Sequence, residues 1–545
     1  MQPLLPSIET LSLTEQVAQM VVVRASGYLF DHQILYPRWE PTAETLQHWI
    51  RDLGVGGVIL LGGSAGELAL RTQQLQAWSG IPLLMAADVE EGVGQRFSGA
   101  TWFPPPMALA AVAQRFPDRA DRYAEQLGAT TAQEARAIGL NWVLAPTVDV
   151  NNNSANPVIN VRAFGETSAI VSQLTTAFLR GAQQHPVLTA AKHFPGHGDT
   201  AVDSHLELPV LNHSVDRLHE VEIPPFKAAI AAGVDAVMSA HLQIPALDPD
   251  FPATLSHRIL TQTLRQSIGF DGLIVTDALV MGAIANRYGA NEAAVLAVEA
   301  GADVLLMPLD PAGAIQAVCE AVETGRIPAA RIQASVERLW RAKQKVCGAV
   351  TEGNTSHTWE TQSPTGVEAQ TVVSFLAQPQ AQATVANILQ DSMQVHCPAA
   401  SRLDRPRWSN DRRNLIVVDD ALTCEALGQQ TPAIALPQAL GYKLQVIDRH
   451  TPAIALDADT KTWQPTLLQL FIRGNPFRGS AGLTQTATDW FHFLVESEQL
   501  LALVIYGSPY VLDQFLPTLA PEIPYVFTYG QMPPAQAIAL EILSK

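Results

Sequence analysis

The chain has 545 residues, 47% of them apolar and 16% charged, which is long enough for more than one packed domain. Its 52 acidic and 34 basic residues leave a net charge of −18, which argues against nucleic acid or an anionic membrane as main partner, since both call for basic patches. The opening residues lack a basic-then-apolar pattern, so no secretory leader is expected, and no apolar run reaches the roughly 18 residues of a membrane span.

Taken in chain order, "SLTE" (Ser12 to Glu15) reads as a capping box opening a helix. Strand-like runs then recur: "MVVVRA", "GGVILL", "PLLMAAD", "NWVLAPTVDV", "VLTAAKH", "DAVMSAH", "GLIVTDA" and "DVLLMP". Between most of them lie Ala- and Leu-rich helical stretches such as "AEQLGATTAQEARAIG", "VSQLTTAFLRGAQQ" and "NEAAVLAVEAG". The runs are continuous rather than alternating, as strands covered on both faces require. Eight such units predict a (β/α)8 TIM-type barrel over residues 1–345. Polar, turn-rich stretches predict a linker and irregular segment over 346–412. Beyond it, "NLIVVDD", "YKLQVID", "LLQLFIRG", "LALVIYGSP" and "YVFTYG" predict a smaller C-terminal α/β sandwich-like domain over 413–545. The loop "FIRGNPFRGSAG" carries two arginines amid glycines and reads as a turn-rich exposed loop or as one that reaches a ligand or partner. The four cysteines (Cys319, Cys347, Cys397, Cys424) are scattered without a CxxC pair, so a reducing, cytoplasmic setting is expected and a disulfide framework is not.

A barrel carries its chemistry where strands end. Asp88, Lys192, His193, His241 and Asp277 all close predicted strands. Singly, Asp88 or Asp277 reads equally as a helix N-cap, Arg162 as a surface residue, and His241 as a satisfied core histidine or a supporting group. The stretch "KHFPGHGDTAVDSH" (Lys192 to His205) concentrates three histidines, two aspartates and a lysine at one such mouth. His193 and His197 have helical ligand spacing, but Pro195, Gly196 and Gly198 forbid a regular helix, so no metal is expected. Asp203 and His205, two apart in an extended loop, project to one side. There a carboxylate can orient an imidazole that exchanges protons near neutral pH. A solvated loop is the bland alternative.

That stretch resembles the signature loop of the β-N-acetylhexosaminidases of glycoside hydrolase family 3. "NPVINVRAFGE", "VMSAH", "PATLSHRIL" and "GFDGLIVTDALVMGAI" follow in the matching order, across most of residues 10–345. More faintly, "LALVIYGSPYVLDQF" resembles the α/β sandwich domain that many members carry. The resemblance implies Asp277 as nucleophile, His205 as acid/base and Asp203 as its orienting partner, in place of the usual second carboxylate. It implies Asp88, Arg96, Arg162, Lys192 and His193 as sugar-hydroxyl ligands. It further implies a retaining exo-β-N-acetylglucosaminidase that needs no cofactor and acts on a small carbohydrate such as a cell-wall muropeptide. A β-glucosidase, a phosphorolytic enzyme and a non-catalytic sugar-binding barrel remain the alternatives. One run departs from the pattern: where D-x-E-G-G-R-V-x-R is usual, this chain reads "DVEEGVGQR", with Glu91 for a glycine and Val93 for the inner arginine. How that loop is braced is left open.

Overall fold

A computed structural model describes residues 5–37, 39–200, 208–347, 372, 374–398, 412–422, 424–451, 464–473 and 485–544. Eight parallel strands form the first unit: β1 (Val21–Ser26), β2 (Gly57–Leu61), β3 (Leu84–Ala87), β4 (Trp142–Val143), β5 (Leu188–Phe194), β6 (Ala236–Ser239), β7 (Leu273–Val275) and β8 (Leu305–Leu306). Each pairs with its sequence neighbour, β8 returns to β1, and a Val275–Val304 bridge joins β7 to the approach of β8. The ring is the expected eight-stranded α/β barrel. Its strands are buried almost end to end, which explains their unbroken runs of Val, Leu, Ile and Ala. The capping box forms as read: Ser12 accepts from the Glu15 amide while Glu15 reaches back to the Ser12 amide.

The fourth run is far shorter as a strand than its ten residues suggest. Pro146 has no amide to give to the ladder, and beyond Trp142–Val143 the segment meets β5 through a bond from the Ala190 amide to the Ala145 carbonyl and an isolated Thr147–Lys192 bridge. That early exit carries Asp149 back across the end of β5.

The second unit is a six-stranded sheet in the order β11-β10-β12-β13-β14-β9, from β9 (Gln394–His396), β10 (Arg412–Val418), β11 (Tyr442–Ile447), β12 (Thr466–Ile472), β13 (Leu500–Gly507) and β14 (Tyr525–Thr528). All pairings are parallel except the antiparallel edge β14–β9. The interval expected as an irregular linker contains β9 and a 14-residue helix, Pro379–Ser392. Ala381, Val385, Ile388 and Leu389 are its buried stripe at helical spacing, a signal hidden between two polar stretches. This helix lies on the barrel helix Pro117–Ala137, where Arg119 and the Tyr123 hydroxyl donate to Asp391 at 2.8 and 2.9 Å. One apolar cluster runs from the barrel through Val385, Ile388 and Leu389 to Leu468, Leu503 and Phe491 on one face of the second sheet. The two units therefore share a core. No helix among the described residues is long and apolar enough to cross a membrane.

Candidate active site

The barrel's strand ends and the loop after β4 bring three of the eight expected site residues, Asp88, Lys192 and Arg162, into one charged lattice with Glu90. Lys192, 1% exposed at the end of β5, donates to Asp88 at 2.7 Å and lies 2.6 Å from Glu90. Arg162, on the loop after β4, clasps Glu90 with two bonds of 2.9 and 2.8 Å. Burial pushes the Glu90 carboxyl up, but Arg162 and Lys192 together overcome this and hold it well below the usual range. By the same balance, burial pulls Lys192 down while Asp88 and Glu90 keep its ammonium charged above the ordinary range. Arg96 stands apart: it is exposed, and its Nε donates to the Asp88 backbone carbonyl at 3.1 Å.

His193 is held by a residue that the strand-end reading passed over. Asp149, wholly buried, accepts from His193 Nδ1 at 2.8 Å, from the His193 amide at 3.1 Å and from the His197 amide at 2.7 Å. Burial raises that carboxyl, yet the charge and bonds of His193 and the His197 amide hold it below its ordinary value. The glycines make this convergence possible. A Cβ on Gly198 would sit 1.8 Å from the Val150 carbonyl oxygen, and Gly196 takes φ +134° against Glu222. The loop thus presses onto the segment that follows β4. Asn156 staples it there, donating to the His197 and Gly198 carbonyls at 2.9 Å each.

Asp277 follows β7, half-buried, with one oxygen accepting from the Ala278 amide at 2.7 Å. Its charge reaches His197, whose own imidazole burial pulls down to about 4. His241 is fully buried and braces this corner: Nε2 donates to the Ala278 carbonyl at 3.0 Å and Nδ1 lies 2.8 Å from Thr254 Oγ1. Asp203 and His205 lie outside the described residues, which resume at Leu208 after a break following Thr200 and include a Val210–Gln243 bridge beside β6.

The second unit also reaches this rim. Tyr510, just beyond β13, donates to Glu166 at 2.6 Å and accepts from Asn151 at 2.8 Å, while Arg473, just beyond β12, pairs with Glu91. Residues just past the carboxyl ends of strands in both sheets therefore meet at this rim, and strand carboxyl ends are where α/β folds bind ligands.

A half-buried carboxylate thus closes one barrel strand, and paired cations and carboxylates close its neighbours. The chain belongs to glycosyl hydrolase family 3. Residues 12–342 match the Glycosyl hydrolase family 3 N terminal domain, and residues 406–545 match the Bacterial Glycosyl hydrolase family 3 C-terminal domain. It is similar to Beta-hexosaminidase A of Pseudoalteromonas piscicida, with 34% identity over 332 residues covering 55% of each chain. It is also similar to a Beta-N-acetylglucosaminidase/beta-glucosidase of Cellulomonas fimi, with 35% identity over 273 residues, 48% of this chain and 47% of that one. The chain spans about half the length of these two relatives. A solved glycoside hydrolase family 3 beta-N-acetylglucosaminidase from Paenibacillus sp. str. FPU-7 superposes with a TM-score of 0.75 at 29% identity, over 98% of this chain and 97% of that one.

Proposed function

We propose that the protein is a retaining exo-β-N-acetylglucosaminidase that releases terminal N-acetylglucosamine from β-linked glycans such as cytoplasmic cell-wall muropeptides. The observation that carries this reading is the meeting of Asp277, at the end of β7, with the Asp88–Lys192–Glu90–Arg162 lattice and the His193–Asp149 pair at one barrel rim. In the first step Asp277 attacks the anomeric carbon while His205, oriented by Asp203, protonates the departing oxygen. In the second, His205 takes a proton from water, which displaces Asp277 and releases the sugar. Asp88, Lys192, His193 and Arg162 bind the ring hydroxyls from fixed positions, so little ordering remains to be done when substrate arrives. Arg96, on the exposed side, contacts the same sugar's outer edge.

The names of the relatives support an N-acetylhexosaminide substrate, and the double name of the Cellulomonas fimi relative makes β-glucoside hydrolysis the second reading. A panel of chromogenic β-N-acetylglucosaminide, β-glucoside, chitobiose and muropeptide substrates, each with and without phosphate, tests both. Fastest release from the N-acetylglucosaminides, with free sugar as the product, is the expected result. Preference for the glucoside, or a sugar 1-phosphate as product, overturns it.

A further inference from the structure

Glu91 and Val93 are two of the positions at which the 88–96 run departs from its family pattern, and the structure gives the first of them a partner from far away. Glu91 is 0% exposed. Trp102 Nε1 donates to its Oε2 at 3.0 Å, and the Arg473 guanidinium binds both its oxygens, at 2.5 Å to Oε1 and 3.2 Å to Oε2. Arg473 lies 382 residues away in sequence, one residue past β12 of the second unit. It also lies close enough to Glu90 and Arg162 for their charges to act on it. The rim therefore holds three carboxylates within four residues, Asp88, Glu90 and Glu91, against three cations, Lys192, Arg162 and Arg473. Without Arg473 a buried carboxylate adjoins Glu90 uncompensated, which low-dielectric surroundings penalise heavily.

We propose that Arg473 is a positioning residue of the sugar site: by neutralising Glu91 from the second domain, it leaves Glu90 to Arg162 and Lys192, the groups that hold the sugar. The second domain is then part of the binding site, fixed in place by the shared core and by Tyr510 on Glu166. This inference rests on the proposed function, and its loss of effect is read in KM rather than in folding.

The test uses the full-length chain with R473M, E91Q and the double variant, measuring KM and kcat on a chromogenic β-N-acetylglucosaminide and the Kd for N-acetylglucosamine. In R473M the bare Glu91 charge perturbs the lattice, and KM and Kd rise about tenfold or more. In E91Q the unpaired Arg473 competes for Glu90, and KM rises as well. Removing both charges returns KM to within about threefold of wild type, the non-additivity expected of one interacting unit. A mere clamp between domains would lower melting temperature or the active fraction and leave KM alone. Unchanged KM in R473M and E91Q, or a double variant no better than the worse single one, overturns the proposal. Should R473M fail to fold, E91Q against the double variant decides: equal KM values overturn it. Wild-type protein that hydrolyses no β-N-acetylglucosaminide defeats the functional reading itself, whereas active wild type with unmoved variants defeats only this inference.

Discussion

Replacing Asp149 by asparagine probes how the signature loop is held. The carboxylate accepts from three donors, His193 N and Nδ1 and His197 N, at 2.7 to 3.1 Å, with no exposed surface. Bonds to a charged acceptor contribute about 1.5–3 kcal/mol each against about 0.5–1.5 for neutral ones. Losing that difference at three donors gives about 3–5 kcal/mol, before counting the amide group that asparagine turns toward one N–H. At about 2 °C or more per kcal/mol in a domain this large, the melting temperature should fall by roughly 5–10 °C. Turnover should fall further than stability suggests, on the order of 10²-fold in kcat/KM at a temperature where the variant is folded, because Lys192 and His193 shift together. Calorimetry and initial rates on the chromogenic substrate read both quantities. An Asp149→Asn enzyme melting within about 1 °C of wild type, with kcat/KM within twofold, would refute the claim that Asp149 organises the loop.

Other expectations follow from the same geometry. Burial holds the His197 imidazole at about 4 against an ordinary 6.5, so between those values the unfolded chain binds a proton that the folded chain refuses. Stability therefore falls as pH drops through that window, by about 3 kcal/mol from this group, and His197→Asn should flatten the acid limb of melting temperature against pH. A variant with an unchanged acid limb contradicts the assignment. Gly198→Ala should cost about 2–3 kcal/mol, since its Cβ would overlap the Val150 carbonyl, and a thermal melt equal to wild type would show that the loop is not pressed there. The Glu90–Lys192 pair stays charged on both sides of neutrality by the directions of its two shifts, so KM should be flat from about pH 6 to 9 while kcat follows the acid/base. A KM that rises across that range contradicts the lattice.

The barrel was legible because its strands are buried on both faces and so appear as unbroken apolar runs between amphipathic helices. Strand ends likewise exposed Asp88, Lys192, His193 and Asp277 as a group, since polar residues closing several such runs have few structural explanations. Asp149 was not legible in the same way. It is the last residue but one of a run whose regular ladder pairing stops six residues earlier, and its three donors reach it because Gly198 lets another loop close on Val150. Glu91 read as a defect in a pattern, because its partner is 382 residues away on a loop that the sequence reads either as an exposed turn or as one reaching a ligand or partner, without saying which. The helix Pro379–Ser392 was hidden by polar flanks, although its buried stripe has helical spacing. Periodicity reports what one element buries; long-range charge pairing leaves no periodic trace.

The central claim is that Asp277 forms a bond to the sugar. Incubating the enzyme with a 5-fluoro N-acetylglucosaminyl fluoride, which slows breakdown of a glycosyl-enzyme, and mapping peptides by mass spectrometry reads this directly. The account predicts one added sugar on the peptide containing Asp277, and none in an Asp277→Ala variant that has also lost turnover. A label on another residue, or full turnover by Asp277→Ala, would contradict it.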